Sequence, residues 1–68
     1  MQQAKPIALH GRYLLRPNFE PERGHYQYSI YAQGKGHKML DCDPAGNQEK
    51  ALSNAQRLVS LLEKARHL

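Results

Sequence analysis

The sequence predicts an α+β fold in which a three-stranded antiparallel sheet packs on one C-terminal α-helix, in the order β-β-β-α. Two observations lead to this prediction. Apolar and polar residues alternate in three segments of the first two-thirds of the chain, and apolar residues recur at helical spacing in the last third. Because 68 residues are too few to build two hydrophobic cores, we expect residues 1–68 to form a single domain.

The first predicted strand covers residues 7–16. Its alternation is typical of a strand with one buried face, and Gly11 falls within it. The face predicted to be buried carries Ile7, Leu9, Tyr13 and Leu15. Residues 17–24 contain two prolines, an asparagine and a glycine, which predicts a loop, with Phe19 folded back on the edge of the core.

The second and third strands are predicted at residues 25–32 and 37–42, joined by a glycine-rich turn. A three-residue turn at residues 34–36 pairs Ile30 with Leu40 and Tyr28 with Cys42. A two- or four-residue turn instead pairs Ile30 with Met39. We prefer the first register because it buries Leu40 and Cys42.

The helix is predicted at residues 47–66, with Asn47 as its N-cap. No glycine or proline interrupts it, and Lys64 and Arg66 suit the negative end of its dipole. Its apolar stripe carries Ala51, Leu52, Ala55, Leu58, Val59, Leu62 and Ala65. The alanines of this stripe are expected to let the helix lie close to the sheet.

The residue types that carry catalysis or bind metals do not occur in productive patterns. The four histidines and the single cysteine have no spacing typical of a zinc site. His37 and Cys42 are five apart on a strand and would point to opposite faces. Asp41 and Asp43 flank the end of a strand, where turn or capping roles are expected. We therefore expect no enzyme activity, no metal and no cofactor.

One cysteine also bears on the compartment. An intramolecular disulfide needs two cysteines, and small secreted domains usually carry several bridges, so the composition favours a reducing, cytoplasmic environment. The start of the sequence has no apolar run like that of a signal peptide, and no stretch approaches the ~20 apolar residues that cross a bilayer. We expect no association with a membrane.

The net charge of +4 is unevenly distributed. Residues 1–38 carry six Lys or Arg against two Glu, whereas residues 39–68 carry four of each sign. A single helix covers one face of the sheet, so the other face is expected to bind a partner unless it is simply solvated. The candidate partner-binding residues are Arg12, Leu14, Arg16, Gln27 and Tyr31 on the strands, Lys35 at the hairpin tip, and Lys38.

The C-terminal half resembles a pattern found in small phage and prophage accessory proteins. The residues that carry the resemblance are Tyr28-Ser29-Ile30-Tyr31, Leu40-Asp41-Cys42-Asp43 and the helix segment Ala51-Leu52-Ser53-Asn54-Ala55 with Leu58-Val59. The resemblance implies a non-catalytic protein that binds and modulates a host protein or protein complex, for example as an anti-defence or anti-CRISPR inhibitor. With Leu14 and Tyr31 on the exposed face, it places a protein partner slightly ahead of nucleic acid.

The predicted strand order also resembles the arm-site DNA-binding domain of phage and transposon integrases, which lays its sheet in the major groove. This resemblance implies a small DNA-binding module that uses Arg12, Arg16, Gln27, Ser29, Tyr31 and Lys38. A third alternative is a structural protein that forms a homodimer through the uncovered sheet face.

Overall fold

A computed structural model describes residues 5–34 and 36–66 of the chain. The strands are β1 (Ile7–Leu9), β2 (Tyr13–Glu20), β3 (His25–Ala32) and β4 (Lys38–Asp41), and the helix is α1 (Gln48–Arg66). The strands form one antiparallel sheet in chain order, β1-β2-β3-β4. The predicted α+β class with one C-terminal helix is confirmed. The predicted number of strands was wrong, because the sheet has four.

The extra strand arises because the predicted strand 7–16 is folded back on itself. His10 and Gly11 both have positive φ (55° and 65°), and the Arg12 N–H donates to the Leu9 carbonyl over 3.2 Å. Two such residues in succession reverse the chain. The resulting register pairs Leu9 with Tyr13, so the residues on both sides of the turn keep the faces that a continuous strand would give them.

The predicted loop 17–24 was also wrong over its first half, since β2 continues to Glu20. Pro17 fits within this strand because β1 pairs only with residues 13–15. Beyond Leu15, β2 is an edge strand, and proline is tolerated at a sheet edge. The reversal into β3 is made by a short 3-10 turn, Pro21–Arg23, followed by Gly24 in the left-handed region (φ 63°).

The central strand β3 spans the predicted range 25–32, and β4 is shorter than the predicted 37–42. The preferred register is confirmed at its centre, where Ile30 pairs with Leu40 and the Cys42 N–H donates to the Tyr28 carbonyl over 2.9 Å. A bulge then shifts the register by one residue, so that Tyr31 pairs with Lys38. The candidate residue Lys35 lies outside the described residues.

The helix begins as predicted, because the Asn47 side-chain oxygen accepts the Lys50 N–H over 2.9 Å. Its buried residues are Ala51, Ala55 and Val59, which face the sheet. The rest of the core comes from the sheet: Tyr13, Leu15, Tyr28, Ile30 and, just after β4, Cys42. Phe19 closes one end of the core, with its ring edge-on to Tyr28 at 5.3 Å between centroids. In the described part of the chain, no helix is long and apolar enough to cross a membrane.

Candidate functional site

One face of the sheet packs on α1, and no described element covers the other. We call this second surface the open face. Alternation along the paired strands assigns to it Ala8, Leu14, Arg16, Asn18, Glu20, His25, Gln27, Ser29, Tyr31, Lys38 and Asp41. Its centre forms a shallow depression of about 520 Å³ lined by side chains of β2, β3 and β4, with Pro6 at its rim.

The centre of the open face holds an arginine stacked on a tyrosine. The Arg16 guanidinium carbon lies 5.1 Å from the centroid of the Tyr31 ring. Leu14 is the cross-strand partner of Tyr31 and is half-buried beside it. A cation over an aromatic ring at an exposed site contributes about 0.5–1 kcal/mol, which favours this arrangement of the two side chains by a factor of about 2–5.

Beside this stack, three polar side chains are joined through Asp41. The Ser29 hydroxyl donates to Asp41 Oδ1 over 2.6 Å, and Lys38 Nζ donates to Oδ2 over 3.3 Å. These two bonds, that from Ser29 first, hold the pKa of the Asp41 carboxyl below its usual value. Asp41 is therefore a fixed negative charge on a face expected to be basic.

Gln27 is the most constrained polar residue of the open face. Its Nε2 donates to the Cys42 carbonyl over 2.7 Å, and its Oε1 lies 3.3 Å from His25 Nε2. Both ends of the amide are thus engaged within the protein. Gln27 fixes the chain after β4 to β3, and this places the Asp41 and Lys38 side chains relative to Tyr31.

The charges of the open face nearly cancel. Among its described residues, Arg16 and Lys38 are basic, and Glu20 and Asp41 are acidic. Arg12, which sequence alternation assigned to this face, instead lies in the turn between β1 and β2. The described face is therefore less basic than the sequence predicts, because Arg12 lies outside it and the carboxylates of Glu20 and Asp41 lie on it.

Arg12 belongs to a cluster on the helix side of the sheet. Its Nη1 contacts Glu63 Oε1 at 3.2 Å, and the Tyr13 hydroxyl donates to Glu63 Oε2 over 3.0 Å. Partial burial of Glu63 favours its neutral form, but the Tyr13 bond and the neighbouring Arg12, His10 and Arg66 lower the pKa of its carboxyl overall. Burial and the bond to Glu63 raise the pKa of Tyr13. The cluster fastens the β1–β2 turn to the helix.

Of the residues predicted to bind a partner, five come together on the open face: Leu14, Arg16, Gln27, Tyr31 and Lys38. Asp41 also belongs to the site, although its position at a strand end predicted a turn or capping role. The preferred register could have revealed it, because pairing Ile30 with Leu40 places Asp41 opposite Ser29.

Neither a metal site nor a reactive thiol is apparent in residues 5–34 and 36–66. No group of three or more His, Cys, Asp or Glu side chains there converges as metal ligands would. Cys42 is buried, and burial together with the charges of Asp41 and Asp43 raises the pKa of its thiol to about 11. The arrangement on the open face is suited to binding through stacking, apolar contact and fixed polar groups.

Comparisons of the chain with protein-family models, with curated proteins and with solved structures find no match, so the geometry of the open face is what supports a functional proposal.

Proposed function

We propose that this chain is a non-catalytic binding module that takes a protein partner on its open face. The observation that carries the proposal is the Arg16 guanidinium held over the Tyr31 ring, beside half-buried Leu14, on a face that no described element covers. Tyrosine and arginine are the residue types enriched at the energetic centres of protein interfaces. Here they lie at the middle of the face.

The charge balance of the open face favours a protein over nucleic acid. Binding to a phosphate backbone depends on an excess of positive charge, which releases counterions from the nucleic acid. Lys38 is already paired with Asp41 and Glu20 with Arg23 of the neighbouring turn, so Arg16 is the one basic residue of the described face without a carboxylate at ion-pair distance. A protein partner needs no such excess, since interfaces combine a desolvated centre with a rim of paired polar groups.

The fixed polar groups around the stack lower the entropic cost of binding. Ser29 and Lys38 are both held by Asp41, and Gln27 is held at both ends of its amide. Immobilising a free, rotamer-rich side chain at an interface costs about 0.5–1.5 kcal/mol. Side chains that are already ordered avoid part of that cost, so affinity can come from the central stack.

In its more specific form, the proposal is a phage-type accessory protein that modulates a host complex, for example as an anti-defence inhibitor. That form rests on the resemblance carried by Ala51, Asn54 and Ala55 in the helix. A second copy of the chain is the other protein that the open face could take, and it is distinguished by mass in solution.

The test is capture of partners from nuclease-treated bacterial lysate on the immobilised protein, followed by affinity measurement with each purified partner. We expect Arg16→Ala and Tyr31→Ala each to lower the affinity for a genuine partner by about 30-fold, which is the loss typical of a hot-spot residue. The matched control is Arg66→Ala, since Arg66 is an exposed arginine at the end of α1 that contacts Glu63 on the helix side of the sheet. A partner that the Arg66 variant loses as readily as the Arg16 variant would contradict the proposal.

Sedimentation of the purified chain gives the remaining outcome. A mass of two chains that Arg16→Ala reduces to one would identify a second copy as the occupant of the open face. A dimer that both Arg16→Ala and Tyr31→Ala leave intact would show that the two chains associate through another surface. If the lysate also gave no captured partner, that result would overturn the proposal.

A further inference from the structure

The side of α1 that faces away from the sheet carries a row of basic residues, Lys50, Arg57 and Lys64, which we call the basic ridge. All three are exposed, and they follow one another at intervals of seven residues. Seven residues make nearly two helical turns, so the three side chains form one line with intervals of about 10.5 Å. The same geometry places them opposite the buried stripe of the helix.

None of the ion pairs among the described residues involves the basic ridge. The acids of α1 are Glu49 and Glu63, and Glu63 turns towards the sheet, where it accepts the Tyr13 and Arg12 bonds. Four other basic side chains each have a carboxylate within ion-pair distance, namely Arg12, Arg23, Lys38 and Arg66. No such pair is present for a ridge residue within 5–34 and 36–66.

The excess of positive charge on the helix is not evident from the charge counts of the two halves of the sequence. Residues 39–68 balance to zero only because Asp41 and Asp43 are counted with the helix. Asp41 belongs to the open face, and Asp43 precedes the helix, where its carbonyl accepts a bond from Asn54. The helix itself carries Lys50, Arg57, Lys64 and Arg66 against Glu49 and Glu63, a balance of four minus two, or +2.

We propose that the basic ridge is a second binding surface, and that its partner is the phosphate backbone of duplex DNA. A line of three cations about 21 Å long matches an extended, regularly charged polyanion, since duplex DNA carries one charge per ~1.7 Å of its axis. Ser53 and Ser60 lie beside the line and are exposed. Small hydroxyl side chains allow close approach and donate to phosphate oxygens.

The composition of the ridge distinguishes it from a protein interface. It has no aromatic side chain, two of its three cations are lysines, and Leu61 is the large exposed apolar residue near it. Lysine is depleted at the centres of protein interfaces, where aromatic residues are enriched. The open face has the opposite composition, so this inference stands independently of the partner proposed for that face.

The test is the fluorescence anisotropy of a labelled random-sequence duplex of about 20 base pairs, titrated with the full chain at several salt concentrations. Three phosphate contacts give a slope of about −2.7 in log affinity against log salt, which is a loss of about 40-fold between ~50 and ~200 mM. Arg57→Ala should weaken binding on every sequence and reduce the slope by about 0.9. Reversing two charges with Lys50→Glu and Lys64→Glu should abolish binding.

Control variants distinguish binding by the basic ridge from an effect of the total net charge and from binding by the open face. Arg23→Ala removes one positive charge away from the ridge and should leave the salt slope unchanged, and Arg57→Lys should retain most of the affinity. Absence of binding at low salt would overturn the proposal. So would a greater loss from Arg16→Ala than from Arg57→Ala, which would locate the duplex on the sheet. Tighter binding to polyglutamate than to the duplex would assign the ridge to an acidic protein instead.

Discussion

Leu15 lies at the centre of the core, and replacing it tests the packing on which both surfaces depend. It is fully buried and sits between Ile7 and Ile30 in the register of β1, β2 and β3. Truncating a fully buried leucine to alanine costs about 2–5 kcal/mol. The apolar atoms that are removed no longer stabilise the fold by their burial, and the cavity that they leave adds a second cost. A domain of this size has only about 3–5 kcal/mol of stability in total. We expect Leu15→Ala to be largely unfolded.

The same substitution at Leu61 is the matched control. Leu61 is 55% exposed on the outer side of α1, so Leu61→Ala should change the free energy of unfolding by no more than about 0.5 kcal/mol. Urea denaturation followed by far-UV circular dichroism measures both variants. Each kcal/mol lost should lower the melting temperature by about 4–8 °C. If the two variants lost equal stability, the core would not be where the structure places it.

Three further predictions concern single groups. Burial raises the pKa of the Cys42 thiol to about 11, so the folded protein should react with a disulfide reagent at mildly alkaline pH far more slowly than a free thiol does. In urea the thiol should react at the rate of a free thiol. Equal reaction rates in the folded and the urea-unfolded protein would refute the burial of Cys42. Tyr28→Phe should leave the free energy of unfolding unchanged or raise it, because the buried Tyr28 hydroxyl has no hydrogen-bond partner among the described residues. A buried hydroxyl without a partner costs about 1–3 kcal/mol. A clear decrease in the free energy of unfolding, measured by urea denaturation, would show that the hydroxyl has a partner. The pKa of the Asp41 carboxyl, measured by NMR, should lie below the ordinary aspartate value, and Ser29→Ala and Lys38→Ala should each raise it because each removes a hydrogen bond to the carboxylate; a pKa that neither variant changes would contradict this. Since folding lowers the pKa of Asp41, its contribution to stability is present above the unfolded value and is lost as the pH falls through the folded one.

The elements that sequence periodicity predicted well are those whose pattern has one reading. The helix shows an uninterrupted 3.6-residue stripe and an asparagine cap, and its bounds differ from the prediction by one residue. The strand 25–32 is dense in aromatic and β-branched residues and was found over the same range. In both segments the local residue preferences and the pattern of buried residues favour the same secondary structure, so no other assignment fits both.

The segment 7–16 shows where alternation is ambiguous. A turn that pairs Leu9 with Tyr13 returns each residue to the face it would occupy in a continuous strand. The pattern of buried residues is therefore the same for one long strand and for two short ones. Only the positive φ of His10 and Gly11 separates them, and a histidine in that conformation has no strong sequence signal. Arg12 was misplaced for the same reason.

Pro17 illustrates a different limit. Two prolines and a glycine within eight residues predict a loop when each residue is read locally. The structure accommodates Pro17 because β1 is too short to reach it, and this depends on a strand that the sequence did not reveal. Whether a proline breaks a strand depends on its neighbour in the sheet. That neighbour is set by tertiary structure.

The two proposed surfaces lie on opposite sides of the molecule, which determines how they can act together. The open face is the side of the sheet away from α1, and the basic ridge is the side of α1 away from the sheet. A protein on one surface does not block a duplex on the other. Substitutions so far apart, such as Arg16→Ala and Arg57→Ala, should have additive effects on folding within about 0.5 kcal/mol. If the protein partner is itself bound to DNA, both surfaces engage one assembly. The second contact is then intramolecular, so three ridge cations that bind weakly alone can add 10²-fold or more to the overall affinity.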